Sequence, residues 1–242
     1  MDLNEDLRSR SLSQGIDYFG VADLSSARDA VLAQGGQHLA AFPRSIAVGI
    51  ALPNPVVDQL PRRNERSVRA SYQHHAYDIV NLRLDMSASL ISSHLQQLGY
   101  SAYPVPASKR VNDERLWAEA SHKLSAHLAG LGWIGKSCLL VTPGNGPRVR
   151  WATVFTDAPM RATGDGMEEQ CGECRECVDV CPVGAFTGRS FRPEEPREAR
   201  YDAHKCDKYF QTIARRNEMA VCGLCLYVCP RGRGHGSGPS VV

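Results

Sequence analysis

Nine cysteines lie along the 242-residue chain, and eight of them fall between residues 171 and 229. The first four follow the pattern C-x2-C-x2-C-x3-C-P, in which a short loop places three thiolates around one four-iron cluster while the fourth turns toward another cluster. Their positions are Cys171, Cys174, Cys177 and Cys181. This spacing predicts iron-sulfur chemistry.

A second, incomplete copy of the pattern precedes Pro230, and one cysteine upstream can complete it. In two-cluster ferredoxins, the fourth cysteine of each motif binds the cluster that is held mainly by the other motif. This rule predicts that cluster 1 is held by Cys171, Cys174, Cys177 and Cys229. It predicts that cluster 2 is held by Cys181, Cys206, Cys222 and Cys225.

The alternative for these cysteines is a pair of zinc sites, because C-x2-C pairs also bind zinc. The repeated cysteine-proline ending favours two 4Fe-4S clusters, which together form a short relay for single electrons. The ninth cysteine, Cys138, stands alone in KSCLLV and is predicted to be a small buried hydrophobic residue.

Several helices and strands precede the cysteines and must form a larger domain over residues 1 to about 160. Helices are predicted at 2–13, 25–33, 71–98 and 117–131, from capping residues and apolar spacing of three to four. Strands are predicted at 17–22, 43–53, 100–105, 139–142 and 149–156. This mixture predicts an α/β or α+β fold.

Composition excludes fewer possible functions than the cysteine spacing does. The net charge is +2 without a run of Lys or Arg, so nucleic acid is not an obvious partner. The N-terminal residues MDLNEDLRSRSLSQ have no apolar core, and the longest apolar runs are of strand length. We therefore expect a cytoplasmic protein without a membrane segment.

The string AGLGWIGKSCLLVTPGNGPRVRWATVFTDAPM, followed closely by CGECRECVDVCPVGAF, resembles the epoxyqueuosine reductase family. PRSIAVGIALP and ASYQHHAYD resemble further parts of that family, so most of the chain is covered. The chain ends soon after the second cysteine motif, and is thus similar to short relatives without a C-terminal helical-repeat domain.

The resemblance implies an α+β fold: a nitroreductase-like cobalamin-binding catalytic domain over residues 1–165, followed by a bacterial ferredoxin-like domain with two 4Fe-4S clusters over 166–232. The tail 233–242 is predicted to be disordered. The clusters would pass electrons to cobalamin, which reduces an organic substrate. In the named enzymes that substrate is an epoxide on a tRNA nucleoside.

Candidate site residues follow from the same resemblance. The acidic proton donor of the family is absent from its usual segment, so Asp113, Glu114 and His122 are only substitute candidates for the catalytic group. The sequence favours an exposed polar turn before a helix for Asp113 and Glu114, and His122 could instead cap or pack. The residues considered for cofactor binding are Tyr72, His122, Lys136 and Arg148.

Two other functions stay open. The chain could be an electron-transfer protein without a substrate of its own, or the same fold could hold FMN instead of cobalamin. The expected partners are an external low-potential electron donor and a small-molecule or nucleoside substrate. The near-neutral charge does not favour tRNA, and no membrane partner is expected.

Overall fold

We describe residues 2–233 in a computed structural model. The described residues divide into two compact units, each assembled from three segments of the chain. The sheet unit comprises residues 2–50, 79–132 and 150–167. The cysteine unit comprises residues 51–78, 133–149 and 168–233. The predicted tail lies, apart from Arg233, outside the described residues.

The sheet unit is built on a four-stranded sheet. Its strands are β1 (Tyr18–Asp23), β2 (Arg44–Ala51), β3 (Ala102–Val105) and β6 (Val149–Thr156), in the order β1-β2-β6-β3. β1 pairs antiparallel with β2, and β3 pairs antiparallel with β6. The six inner residues of β2 are all buried, as expected for a continuous apolar run covered on both faces. The α+β class is confirmed.

Helices pack on this sheet through apolar residues. Those of the sheet unit are α1 (Leu3–Ser13), α2 (Arg28–Gly35), α3 (Gln37–Ala40), α6 (Val80–Gln97) and α7 (His122–Leu128). α6 contacts β3, while α1 and α7 contact β1. One buried apolar cluster joins Leu39 of α3 to Val105 of β3 and Phe155 of β6. α6 buries Leu84, Ile91 and Leu95, and exposes Leu82, Met86 and Leu90 on another side.

Glycine is required where an aromatic ring approaches the sheet. A Cβ atom on Gly49 would lie 2.6 Å from the ring of Trp151. The same ring contacts Tyr18, with 5.5 Å between the ring centroids. Gly49 in β2 thus allows Trp151 in β6 to pack closely.

The predicted helix over 117–131 is wrong in its first part. Asn112 and Trp117 instead form a β-bridge, and the Asn112 side chain accepts a hydrogen bond of 2.8 Å from the Arg115 backbone N–H. Leu116 lies in the left-handed region with φ of 53°. Local side-chain to backbone bonding of this kind competes with helix formation, so the helix begins only at His122.

The cysteine unit has short elements. Its helices are α4 (Asn54–Val57), α5 (Arg66–Tyr72), α8 (Glu176–Asp179), α9 (Ala203–Ala214) and α10 (Leu224–Tyr227). Strand β4 (Trp133–Ile134) pairs antiparallel with β5 (Leu140–Val141). The predicted strand at 139–142 therefore belongs to a separate two-stranded sheet. A π-helical segment, Gln73–Ile79, directly follows α5 and precedes α6. Within residues 2–233, no helix is long and apolar enough to cross a membrane.

Candidate iron-sulfur centre

The first cysteine motif is shaped by a turn and one short helix. The backbone N–H of Cys174 donates a 3.0 Å hydrogen bond to the Cys171 carbonyl, and Gly172 supplies a φ of 51°. Cys177 lies on α8, and Cys181 follows that helix. The Ala185 backbone N–H donates to the Cys181 sulfur at 3.3 Å. The loop therefore presents its thiols from consecutive tight turns.

The other four cysteines come from two helices and the residues around them. Cys206 lies one turn into α9, which begins after the capping residue Asp202. Cys222 precedes α10, and Cys225 lies on it. Gly223, with φ of 66°, turns the chain between these two cysteines. Cys229 precedes a short 3-10 turn that starts at Pro230.

Electrostatic interactions show which thiols are neighbours. Burial raises the pKa of Cys177 to about 12, and the charges of Cys171, Cys229 and Cys174 add to that effect. Burial also raises the pKa of Cys225. The charges of other cysteines raise it further, in decreasing order Cys222, Cys206, Cys177 and Cys181. This grouping supports the predicted ligand sets, which remain predictions.

The thiol surroundings suit iron-sulfur clusters. Burial disfavours a bare thiolate, whereas bound iron supplies the positive charge that stabilises it. Backbone N–H groups of Leu224 and Arg231 interact with the sulfurs of Cys222 and Cys229. The indole N–H of Trp133 is buried and makes no hydrogen bond of ordinary geometry within residues 2–233. Such donors are expected around cluster sulfurs.

These cysteines do not converge on a single point. Among residues 2–233, no three His, Cys, Asp or Glu side chains lie together as they would around one metal ion. A cubane binds each cysteine at a separate iron, so its ligands need not converge in this way.

Lys136 lies against the first cysteine loop. Its side chain is only 8% exposed, and Nζ donates to the Gly172 carbonyl and, at 3.3 Å, to the Cys174 carbonyl. The structure therefore places the Lys136 ammonium on the backbone that presents Cys171 and Cys174.

Arg148 is 1% exposed and joins α4 to the last cysteine segment. Its Nη1 lies 2.8 Å from an Asp58 carboxylate oxygen and donates to Asn54 at 2.7 Å. Nη2 donates to the Tyr227 carbonyl at 3.4 Å. These residues and Arg233 line a polar cavity of about 310 Å³. The cavity is far smaller than a corrinoid.

Tyr72 ends α5 and is buried. Its ring contacts that of Tyr77 edge-on, with 6.0 Å between the centroids. A Cβ atom added to Gly223 would lie 3.4 Å from the Tyr72 hydroxyl oxygen, so this hydroxyl lies close to the turn before α10.

His122 belongs to the sheet unit and begins α7. Nδ1 lies 3.0 Å from the Thr153 hydroxyl, and Nε2 lies 3.1 Å from the Pro106 carbonyl. Burial lowers the pKa of His122 to about 4, and the nearby Arg150 charge adds to this shift. The imidazole is therefore neutral near pH 7, and both of its nitrogens are engaged.

Asp113 and Glu114 lie at the exposed tip of the 112–117 turn. The Asp113 side chain is 94% exposed, and its carboxylate lies 3.8 Å from Arg110. The structure does not bring either acid to His122 through a described contact. Their proposed role in proton donation stays a prediction.

Several residues beside the cysteines were not identified from sequence. Glu169 accepts hydrogen bonds from the Cys171 backbone N–H and the Ser190 hydroxyl. The Tyr201 hydroxyl interacts with Cys206, and Trp133 interacts with Cys171. Among these residues, only Trp133 lies in a recognisable sequence motif, GLGWIGK. An isolated residue such as Glu169 gives no indication in the sequence of the residues that it contacts.

Comparison with known proteins shows which proteins this chain is similar to. Residues 170–232 match the family model of the 4Fe-4S double cluster binding domain. The epoxyqueuosine reductase of Bacillus anthracis is 26% identical over 205 residues, covering 78% of this chain and 48% of the relative. That of Synechococcus sp. (strain RCC307) is 25% identical and covers 97% of this chain and 76% of the relative. The chain is thus similar to epoxyqueuosine reductases over most of its length.

Solved structures agree in fold with this chain. A selenomethionine-labelled epoxyqueuosine reductase is 22% identical, has a TM-score of 0.63, and covers 98% of this chain and 67% of that one. The catabolic reductive dehalogenase NpRdhA is 21% identical, has a TM-score of 0.70, and covers 95% and 32%. The chain spans about half the length of the first curated relatives that it matches.

The family match establishes the nature of the cysteine unit's cofactors. Residues 170–232 bind two 4Fe-4S clusters. All eight cysteines of the two motifs lie inside this match. The functional consequence is a centre that can hold and pass single electrons.

Proposed function

We propose that this chain is an iron-sulfur reductase in which electrons pass through the two clusters to a cobalamin, for reduction of an organic substrate. The observation that carries the proposal is the double-cluster domain within a fold shared with epoxyqueuosine reductase and reductive dehalogenase. One of the similar dehalogenase structures is described as suggesting a mechanism for B12-dependent dehalogenation.

Cobalamin, when bound and reduced, would supply a strongly nucleophilic metal for attack on the substrate. The chain's own contribution to the electron path is the pair of cysteine sets. Cys177 and Cys225 belong to different predicted sets. The charge of Cys177 acts on Cys225, so the two sets lie near each other. Burial of these thiols limits access of water to the clusters, and this helps to set their reduction potentials.

No catalytic step is assigned to the four candidate cofactor ligands. Lys136 and Arg148 are engaged with backbone carbonyls and Asp58, and His122 is engaged with Thr153 and Pro106. Their contact with a corrinoid remains a prediction. The cobalamin proposal is therefore supported by the shared fold, and not by these side chains.

The substrate and the donor are proposed only by class. A similar epoxyqueuosine reductase structure contains an epoxyqueuosine-modified tRNA stem loop. We propose a small-molecule or nucleoside substrate for this chain, with an external low-potential electron donor. The net charge of +2 does not favour tRNA as the substrate.

Anaerobic reconstitution tests the proposal. The full chain is supplied with iron, sulfide and cobalamin, passed through a desalting column, and analysed for iron and cobalt. We expect cobalt to be retained, with an electron paramagnetic resonance (EPR) signal of Co(II) that disappears when dithionite is added. If the purified protein showed flavin absorption, the cofactor would be FMN and the cobalamin proposal would be wrong. Clusters without any organic cofactor would point to an electron carrier.

A further inference from the structure

Two N–H groups of the segment Trp133–Lys136 approach the same cysteine sulfur. The backbone N–H of Lys136 and the indole N–H of Trp133 both interact with Cys171. A Cβ atom on Gly135 would lie 3.4 Å from the Cys171 sulfur, which shows how closely this backbone passes. A side chain at residue 135 would therefore touch the sulfur and press on Val141.

The Trp133 indole is held firmly in this position. Trp133 is 1% exposed and lies on β4, which pairs with β5 through Val141. The Arg231 guanidinium covers its ring at 5.6 Å from the centroid. Its N–H is buried and has no ordinary hydrogen bond among the described residues. A buried indole N–H usually finds a partner, so this one calls for an acceptor.

A thiol is a weak acceptor, but an iron-bound thiolate carries negative charge and is a much better one. Cys171 is in the predicted ligand set of cluster 1. We propose that Trp133 is a positioning residue for cluster 1, donating an N–H···S hydrogen bond to iron-bound Cys171 and raising the reduction potential of that cluster.

The sign follows from charge. Reduction adds one electron to the cluster and increases the negative charge on its sulfurs, so an N–H donor stabilises the reduced form more than the oxidised form. Trp133 transfers no proton in this step, and the electron comes from the external reductant. Cluster 2 has no contact with Trp133 through its predicted ligands in the described interactions. The inference requires the clusters and is independent of cobalamin.

The test is a potentiometric titration of the full chain with both clusters assembled. Dithionite is the reductant, and EPR follows the reduced clusters. In Trp133→Phe we expect one cluster to become harder to reduce. At a fixed potential its ratio of reduced to oxidised form should fall about tenfold, which corresponds to about 59 mV for a one-electron couple. The other cluster should keep its potential.

The chain offers a matched control. Trp151 is also buried, and in the described part of the chain its indole N–H also lacks an ordinary hydrogen bond, but its ring packs against Tyr18 in the sheet unit. Trp151→Phe should leave both potentials unchanged. Equal shifts in the two variants, equal shifts of both clusters, or no shift in Trp133→Phe would overturn the proposal.

Two cysteine variants identify the affected cluster. In Cys225→Ala the remaining cluster is expected to be cluster 1, and the Trp133→Phe shift should persist. In Cys174→Ala the remaining cluster is expected to be cluster 2, and the shift should vanish. A shift that persisted only in Cys174→Ala would assign Trp133 to the wrong cluster and contradict the proposal.

A shape-preserving replacement covers the case in which Trp133→Phe fails to assemble cluster 1. Benzothienylalanine at residue 133 keeps the bicyclic ring and removes only the N–H. It should restore the iron content and still show the lower potential. If it restored the potential too, the role of Trp133 would be packing alone. If it also failed to hold the cluster, the N–H would be needed for cluster assembly and not for setting the potential, and the proposal would be overturned as well.

Discussion

At the scale of single residues, the cysteines carry the most direct prediction. Cys174→Ala and Cys225→Ala each remove a ligand from a different predicted set. Each variant should fall from about eight irons per chain to about four, because each cubane holds four irons. Anaerobic iron analysis after reconstitution measures this.

Cys138 provides the control for those variants. It is buried, as predicted, and it lies outside both cysteine motifs. Cys138→Ala should therefore retain about eight irons. Unchanged iron in both ligand variants would show that the ligand assignment is wrong.

His122 predicts a pH dependence of stability. Burial lowers its pKa from 6.5 to about 4. Between these values the unfolded chain binds a proton that the native chain does not, so stability decreases as the pH falls through this range. The expected slope is at most about 1.4 kcal/mol per pH unit. Above pH 6.5 this contribution should be constant.

Denaturant unfolding at several pH values, compared between parent and His122→Gln, isolates this contribution. Glutamine can still donate to the Pro106 carbonyl, but it does not titrate. The variant should lose less stability between pH 6.5 and 4 than the parent does. His74→Gln changes an exposed imidazole and should behave like the parent. Identical slopes in all three proteins would contradict a His122 that stays neutral in the native state.

At the scale of elements, α9 depends on its cap. Only Ala203 of its 12 residues is buried, so the helix gains little from a core. The Asp202 side chain accepts a 3.1 Å hydrogen bond from the Lys205 backbone N–H. Asp202→Ala should lower the free energy of unfolding by about 1 kcal/mol. Because Cys206 lies on the first turn of α9, a chelator should also remove iron from cluster 2 faster.

Asp202→Asn is the conservative counterpart, since asparagine caps helices about as well as aspartate. It should keep both the stability and the rate of iron loss close to those of the parent. If asparagine lowered the stability as much as alanine, the charge of Asp202 or the fold of the preceding turn would be responsible, and not the capping hydrogen bond.

Elements with a strong apolar pattern could be predicted, whereas those governed by local bonding could not. The runs of β2 and β6 and the three-to-four spacing of α6 predict the observed strands and helix. Apolar spacing does not reveal the π-helical segment Gln73–Ile79 within the predicted helix. Nor does it reveal the turn at 112–117, where one asparagine side chain replaces a helical hydrogen bond.

The candidate site divides in the same way. The spacing of the cysteines predicts clusters because a short loop fixes where its thiols can point. The contacts of Lys136 and Arg148 are between residues far apart in sequence, and their charge alone does not reveal whether they meet cofactor or backbone. The sequence therefore predicts the chemistry of the cysteine unit well, but it does not predict the contacts that support the cysteines.

At the scale of the whole molecule, the two units should respond differently to loss of iron. The sheet unit has a four-stranded sheet and a continuous apolar core. The cysteine unit relies on short helices, and its eight predicted ligands come from several segments that the clusters would tie together. Metal binding free energy is therefore expected to form part of the folding free energy of that unit.

Hydrogen exchange on the full chain, with clusters and after their removal by an oxidant and a chelator, measures this difference. Amides of α8 and α10 should lose protection when iron is removed, because their local opening is no longer opposed by the clusters. Amides of β1, β2 and β6 should stay protected. Cys138→Ala serves as a control with intact clusters. Parallel loss of protection in both units would show that they unfold cooperatively, and that the clusters stabilise the whole chain.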